Sequence, residues 1–186
     1  MIKYIFIILF LTKSVFSQES RYYYTNNGII SFRSEAQLEL IRASSSNLIG
    51  LIDLSNRTFV FKVIIRTFRG FNSALQQEHF NEKYLESEKY PEAFFSGKII
   101  EDLDLSIEGA YNVRAKGNLK IHGIEMERII RSKVISKNGK ISIESNFSIL
   151  LSDHNIKIPK VVHEKIASEI LLELKVELQS KEDVKN

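Results

Sequence analysis

The residues best suited to chemistry are concentrated in one aperiodic stretch, residues 66–97. Besides His79 it contains four carboxylates at short spacing: Glu78, Glu82, Glu86 and Glu88. Side chains four residues apart share a face of a helix, but an acid–base set also needs a perturbed environment and a substrate between its members. The sequence supplies neither, and it has no GxSxG, Gly-rich phosphate or HExxH motif. The carboxylates therefore indicate a solvated edge, and we expect no catalytic residues and no enzymatic activity.

Two interpretations fit His79. Its ring could hydrogen-bond a ligand headgroup or a carboxylate, or it could tie its segment to a strand end, and the structural role is favoured. His122, His154 and His163 lie at none of the short spacings that place two imidazoles on one metal. The chain has no cysteine, which excludes disulfides, zinc–thiolate sites and thiol catalysis. We therefore expect neither a metal site nor a cofactor.

The charge of the chain is close to balanced once its first segment is set aside. The formal net charge is +3, with 26 basic and 23 acidic residues. Residues 1–17 contain Lys3 and Lys13 and no acidic side chain, so the remainder has 24 basic against 23 acidic residues. Since no lysine or arginine cluster stands out and basic residues do not interleave with aromatic ones, we expect no binding to nucleic acid.

Residues 1–17 have the pattern of a secretory signal peptide. Lys3 precedes a strongly apolar run at 4–11, and small residues lead to a cleavage site between Ser17 and Gln18. The apolar run is too short to cross roughly 30 Å of hydrocarbon as a helix. We therefore expect cleavage rather than a membrane anchor.

The rest of the chain is expected to form one domain at 18–180, followed by a flexible tail at 181–186. The lack of cysteine also excludes a lipid-anchored cysteine after the signal. These features predict a soluble periplasmic or secreted protein, and the absence of disulfides favours the periplasm.

The first part of the mature chain alternates apolar and polar residues with the period of a β-strand. Between residues 28 and 40 one face carries Ile30, Phe32, Ser34, Ala36, Leu38 and Leu40. Residues 44–47, Ser-Ser-Ser-Asn, are typical of a turn. Residues 48–54 and 58–68 continue the strand pattern. Three strands joined by polar turns predict an antiparallel meander.

The pattern resumes after the aperiodic stretch. Four further segments alternate in the same way, at residues 95–99, 111–122, 140–151 and 170–178. Residues 125–134 form a fifth segment with a mixed pattern. Asn138-Gly139 is a strong hairpin signal, and residues 160–168 after Pro159 have the pattern of one helical turn.

About eight strands with one apolar face each predict an all-β fold. An open sheet would leave two edges and an apolar face that the short helical region is too small to cover. Closing the sheet solves both problems. We therefore predict an eight-stranded antiparallel barrel with a short helical cap, with a β-sandwich as the alternative. Such a barrel is either filled by its own side chains or holds one elongated ligand.

The aperiodic stretch is predicted to be that cap. Residues 74–80 have the composition of a short helix, and residues 84–88 suggest a further turn before Tyr90-Pro91 ends it. A connection of this length between two strands is usually a functional lid.

In this arrangement the chain resembles the YceI-like lipid/polyisoprenoid-binding family from about residue 27 to residue 178. The resemblance is carried by four segments in order: Gln77-Glu78-His79-Phe80-Asn81-Glu82 with Tyr84-Leu85-Glu86-Ser87; Tyr90-Pro91-Glu92-Ala93-Phe94-Phe95-Ser96-Gly97; Gly117-Asn118-Leu119-Lys120-Ile121-His122-Gly123; and Ile156-Lys157-Ile158-Pro159 ahead of Lys165-Ile166-Ala167. It implies a lipocalin-like barrel, extracytoplasmic placement and an apolar cavity for a long isoprenoid or other lipid chain.

Two positions depart from the family pattern. Gln77-Glu78 stands where many members have Arg-Asp, which removes any headgroup contact carried by that arginine. Lys120 stands where many members have threonine. We expect Lys120 on the solvent face, where the change has little effect.

We therefore predict a carrier that holds a long-chain lipid or isoprenoid. The expected ligand-binding residues of cavity and cap are Phe61, Val63, Ile65, Phe71, His79, Phe80, Tyr84, Phe94, Val113, Leu119, Phe147 and Ile149. The alternative is a periplasmic stress-response or envelope protein-interaction module without lipid cargo. Either could form a homodimer.

Overall fold

Eight antiparallel strands pair in sequence order, and the last pairs with the first, in the computed structural model, which describes residues 22–180. The strands are β1 (Tyr22–Glu35), β2 (Leu40–Asp53), β3 (Thr58–Ile64), β4 (Glu92–Ile99), β5 (Gly109–Ile121), β6 (Ile124–Lys137), β7 (Lys140–Leu150) and β8 (Glu169–Ser180). The predicted closed barrel is confirmed. The expected signal peptide at 1–17 and tail at 181–186 lie outside the described residues.

The closing pair, β1 with β8, aligns Ile30 with Leu174 and Phe32 with Leu172. Because each strand has two neighbours, the sheet has no unpaired edge. The apolar face of every strand points into the barrel, as the alternation along β5 illustrates: Val113 and Leu119 are buried, whereas Arg114 and Lys120 are exposed. The Asn138-Gly139 hairpin is also confirmed, with positive φ at both residues, as a tight primed turn requires.

The predicted turn at 44–47 is wrong, because these residues lie inside β2. The turn between β1 and β2 is at 36–39, and Leu38 is exposed rather than inward. Serine is tolerated in β2 because Ser45 is buried against the cap, where its Oγ lies 2.6 Å from Oγ1 of Thr67. Register shifts in the β1–β2 pair near Gly28 interrupt the regular pairing beside this segment.

The cap connects β3 to β4. It begins with a 3-10 turn (Ile65–Thr67) and continues through helix α1 (Ala74–His79) into a π-helical turn (Phe80–Tyr84). Ser73 caps α1 by accepting a hydrogen bond from the backbone N–H of Gln76 at 3.1 Å. The predicted second helical turn at 84–88 is therefore misplaced, since the wider π-turn ends at Tyr84.

A second connection, between β7 and β8, lies at the same end of the barrel. It contains 3-10 turns at Leu151–His154 and Lys160–Val162, so the helical turn expected at 160–168 is shorter than predicted. The cap, this connection and the β1–β2 and β5–β6 turns together form the capped end of the barrel.

The opposite end of the barrel is packed by its own side chains. Ile52, Ile141 and Leu178 are almost completely buried there, next to Val176 and Tyr23. This floor closes the barrel, so any interior space must open toward the capped end.

Gly97 and Gly117 face each other across β4 and β5, where the two backbones approach closely. A methyl group on Gly97 would lie 2.1 Å from the carbonyl oxygen of Lys116. We expect Gly97→Ala to lower the free energy of unfolding by about 2–3 kcal/mol because the backbones would have to separate. Denaturant unfolding followed by circular dichroism measures this difference. Gly109→Ala is the control, since its Cβ would meet only the ring of Tyr111; equal losses in both variants would contradict the explanation.

Candidate functional site

The barrel encloses a cavity of about 500 Å³ that extends from the floor to the cap. This volume lies within the range of small-molecule binding sites, roughly 300–1,000 Å³. Its wall consists of the inward residues of all eight strands, and most of them are aliphatic or aromatic. Of the two possibilities left open by the sequence, the interior is therefore hollow rather than filled.

Eleven of the twelve predicted site residues line this cavity: Phe61, Val63, Ile65, Phe71, His79, Phe80, Tyr84, Val113, Leu119, Phe147 and Ile149. The strands contribute the walls, and the cap contributes Ile65, Phe71, His79, Phe80 and Tyr84. All of these residues therefore meet in one space, although Phe61 and Ile149 are 88 positions apart in the chain.

Phe94 is the exception, and its assignment to the cavity is wrong. Its neighbours Ala93 and Phe95 line the cavity, and successive residues of a strand point to opposite faces. Phe94 pairs with Lys62 on one side and Lys120 on the other, and Nζ of Lys62 lies 5.9 Å from its ring centroid. The aromatic residue that β4 contributes to the wall is Phe95.

Four phenylalanines close the cavity beneath the cap. Phe80 stacks on Phe32 at 5.4 Å between centroids, with an interplanar angle of 14°. It also contacts Phe71 at 5.0 Å and Phe68 at 5.8 Å. Phe32 comes from β1, so the contact joins cap to barrel. Sequence reasoning placed Phe32 on the inward face but missed it as a site residue, although its alternation with Ile30 and Ser34 carried that signal.

The mouth of the cavity lies beside α1, where lining residues are also exposed to solvent. Leu75 and Lys165 both line the cavity and are exposed, and Glu39, Gln76 and Val162 lie around the same opening. Polar groups are thus concentrated at the mouth, where an amphiphile would place its headgroup.

One pair of polar side chains interrupts the apolar wall away from the mouth. Ser132 and Ser145 line the cavity, and their Oγ atoms lie 2.6 Å apart in a hydrogen bond. Burial also raises the pKa of the Tyr84 phenol, which stays neutral where it lines the cavity. The lysines and carboxylates of the lining are few: Glu39 and Lys165 lie at the mouth, and Lys62 of β3 is paired with Glu92 at 2.8 Å.

The role favoured for His79, tying the cap to a strand end, belongs to His122 instead. His122 Nδ1 lies 3.0 Å from the carbonyl oxygen of His154, and Nε2 lies 2.6 Å from Oε2 of Glu86 in the cap. A carbonyl oxygen only accepts, so Nδ1 donates to His154, and Nε2 faces the carboxyl group of Glu86. Tyr90 packs edge-on against the ring at 4.7 Å. The Glu86–His122 pair therefore fastens the cap to the β5–β6 turn.

We expect His122→Asn to loosen the cap without opening the barrel. Asparagine tolerates the positive φ of 52° at this position, but its side chain is too short to reach Glu86. Hydrogen exchange of the amides of Ser87, Lys89 and Tyr90 should accelerate roughly tenfold or more. His163→Asn, at an exposed histidine, is the control, and unchanged exchange in the cap of His122→Asn would exclude a fastening role.

His154 is completely buried beside this pair. Its Nδ1 donates to the carbonyl oxygen of Ile124 at 3.3 Å, and its Nε2 has no partner among the described residues. Burial lowers the pKa of His154, and the nearby charge of Arg128 lowers it further. The ring is therefore neutral in the folded protein and has a structural role.

Acidification should consequently destabilise the protein through His154. The unfolded chain takes up this proton near the ordinary histidine pKa of about 6.5, whereas the folded chain resists it, so the free energy of unfolding falls as pH drops below that value. In His154→Asn, where an amide replaces the titrating ring, the decline between pH 7 and 5 should be smaller. Thermal melts across this range measure the slope, and a slope equal to that of the parent protein would refute the assignment.

Within residues 22–180 no group of three or more metal-ligating side chains comes together. The cap carboxylates Glu78, Glu82 and Glu88 are exposed, as a solvated edge predicts. No helix in that part of the chain has the length and apolar content needed to cross a bilayer.

The fold and its interior define the class: a capped, lipocalin-like antiparallel barrel of eight strands around an apolar cavity. A family model described as the YceI-like domain matches residues 29–178, and the chain belongs to this family. The resemblance seen in the sequence is thus confirmed. No curated protein matches the chain.

Several solved structures share the fold at low sequence identity. A polyisoprenoid binding domain from Saccharophagus degradans, implicated in plant cell wall breakdown, superposes with a TM-score of 0.74 at 13% identity, covering 87% of this chain and 99% of its own. BcnA of Burkholderia cenocepacia gives 0.67 at 13% identity, covering 81% and 95%. The YceI protein of Campylobacter jejuni gives 0.52 at 14% identity, covering 95% and 97%. At these identities the likeness establishes the fold.

Proposed function

We propose that the protein binds one long-chain isoprenoid or similar amphiphile in its barrel and carries it outside the cytoplasm. The observation that carries this proposal is the hollow, apolar interior, closed by a floor at one end and by an aromatic cap at the other. The structural likeness to a polyisoprenoid binding domain supports the choice of ligand class. The pattern of residues 1–17 supports the location.

The driving force would be the transfer of the chain from water into a dry channel. Each buried methylene contributes about 0.8 kcal/mol. About ten methylenes therefore yield about 8 kcal/mol, which is comparable with the estimated 4–15 kcal/mol cost of association. The apolar tail supplies affinity, and the polar groups at the mouth orient the headgroup.

The alternative from the sequence, an envelope protein-interaction module without cargo, has less support. That function would leave no reason for a hollow interior, because a barrel of this size is more stable when its own side chains fill it. The cavity of about 500 Å³ therefore favours ligand binding.

Native mass spectrometry of protein purified from its own host tests the proposal directly. We expect a bound species of discrete mass, released by organic extraction, at one ligand per chain. Empty protein that also fails to take up an added long-chain isoprenoid in a fluorescence titration would refute the proposal.

Phe80→Asp should weaken ligand binding more than it weakens the fold. The carboxylate would replace a ring that lines the cavity and stacks on Phe32, and a charge in an apolar site costs binding free energy. We expect the Kd for a long-chain isoprenoid to rise roughly tenfold or more, with a smaller change in thermal stability.

Phe94→Asp is the matched control for this variant. It introduces the same change on the outer face of β4, and it should leave the Kd unchanged. If Phe80→Asp unfolds at room temperature, the stretch is core rather than lid, and its proposed role in retaining the ligand fails.

A further inference from the structure

Exposed aliphatic side chains are concentrated around the mouth of the cavity. In residues 22–180 the four most exposed large apolar side chains are Val161 at 89%, Leu38 at 62%, Ile107 at 61% and Leu75 at 58%. All but Ile107 lie at the capped end, and they come from three different segments: the β7–β8 connection, the β1–β2 turn and α1. We call Leu38, Leu75 and Val161 the rim tips.

Hydrogen bonds hold these three segments together. The backbone N–H of Leu38 donates to the carbonyl oxygen of Glu164 at 2.8 Å, which joins the turn to the connection. Asn72 Nδ2 and Gln76 Nε2 both donate to Oε1 of Glu39, at 3.2 and 2.9 Å, which joins α1 to the turn. The rim is therefore a defined surface rather than three independent loops.

Each rim tip is next to the opening. Leu75 itself lines the cavity, Leu38 precedes the lining residue Glu39, and Val161 precedes the lining residue Val162. Any surface that covers the rim tips therefore also covers the path by which a ligand enters.

One side of the rim, the β7–β8 connection, carries a local cluster of lysines. The segment 156–168 contains the exposed side chains of Lys157, Lys160 and Lys165 against a single acid, Glu164. None of the three lysines is in an ion pair with the part of the chain that the structure describes. The cap has equal numbers of basic and acidic residues, four of each. Asp153 of the same connection is paired with Arg128, and Glu39 on the β1–β2 turn adds one negative charge, so the positive charge is local to the lysine segment.

Separate aliphatic tips beside a segment rich in lysine suit a bilayer better than a rigid protein. A protein partner or a second copy would need a contiguous apolar face to bury. Fluid lipid can surround each tip separately while its phosphate groups meet the lysines. We propose that the rim tips and their lysines dock the mouth of the barrel onto a membrane surface containing anionic lipid. This inference rests on the proposed function, because docking would let the ligand pass between bilayer and cavity without crossing water.

Vesicle binding by the full-length mature protein tests the inference. Sedimentation with phosphatidylcholine vesicles containing about 30 mol % phosphatidylglycerol measures the partition coefficient. The test variant is Leu38→Ser/Val161→Ser, which removes two rim tips that do not line the cavity. The matched control is Ile107→Ser, which removes an equally exposed aliphatic side chain at the floor end. A third variant, Lys157→Gln/Lys160→Gln, tests the charge.

We expect the partition coefficient to fall about tenfold or more in the rim-tip and lysine variants and to remain unchanged in Ile107→Ser. Phosphatidylcholine alone should bind the parent protein more weakly. Absence of vesicle binding, or equal loss in the control, would overturn the inference. So would a dimer in size-exclusion chromatography with light scattering that Leu38→Ser/Val161→Ser dissociates, because the rim would then be an interface between copies.

Isoprenoid titration in detergent separates this outcome from a failure of the proposed function. The rim-tip variant should bind the ligand as the parent does. A protein that takes up ligand but shows no rim-dependent vesicle binding has a functional cavity and no docking surface. A protein that binds no ligand at all contradicts the proposed function whatever its vesicle binding.

Discussion

The pairing of β1 with β8 is the constraint on which the other features depend. Without it, eight strands with one apolar face each would form an open sheet with two unpaired edges and an uncovered apolar face. With it, every inward side chain faces the same enclosed volume, and the outward residues become a polar surface. The cavity is thus a consequence of closure combined with alternation along the strands. No single strand forms the cavity, so residues from different strands, such as Phe32 and Phe147, line the same space.

Closing the sheet leaves the two ends of the barrel uncovered, and the chain covers each end with a different kind of structure. The floor uses bulky aliphatic residues from the strands themselves, with Ile141 and Leu178 fully buried. The other end uses an inserted segment that stacks Phe80 on Phe32 and is fastened by Glu86 to His122. A floor made of strand residues cannot move without breaking the sheet. A cap held by ring contacts, side-chain hydrogen bonds and the Glu86–His122 pair can open at a much lower cost.

The predictable part of this structure was the part dictated by period and turn chemistry. Alternation along β5, β7 and β8, the Asn138-Gly139 turn and the need to hide sheet edges were sufficient to predict the barrel. Eleven cavity positions could then be predicted from which alternate residues of each strand share the apolar face and from the aromatic content of the cap. The turn expected at 44–47 failed because turn propensity is local. A tertiary contact, Ser45 with Thr67, accommodates these small polar residues inside a strand.

Register and partner choice were harder to predict for a related reason. Phe94 and Phe95 are adjacent and chemically identical, so only the start of β4 and its pairing decide which one faces inward. The histidine that fastens the cap depends on which turn lies under Glu86, and that contact joins residues 36 positions apart. A resemblance over short motifs identifies segments and their order. It does not determine such long-range contacts.

The asymmetry between the two ends also determines how a ligand could move. Since the floor is packed, the opening beside α1, between Glu39 and Lys165, is the route by which a ligand would enter and leave. A chain bound in this space would lie with its tail toward Ile52 and its polar end at the mouth, because the polar lining groups are concentrated there. The side chains of Leu38 and Val161 are exposed at the rim of this opening. Their exposure to water is unfavourable, and they gain free energy when an apolar phase covers the mouth and buries them. In the proposed function, covering the rim would therefore coincide with the one step that water would otherwise oppose, the transfer of a chain through the mouth.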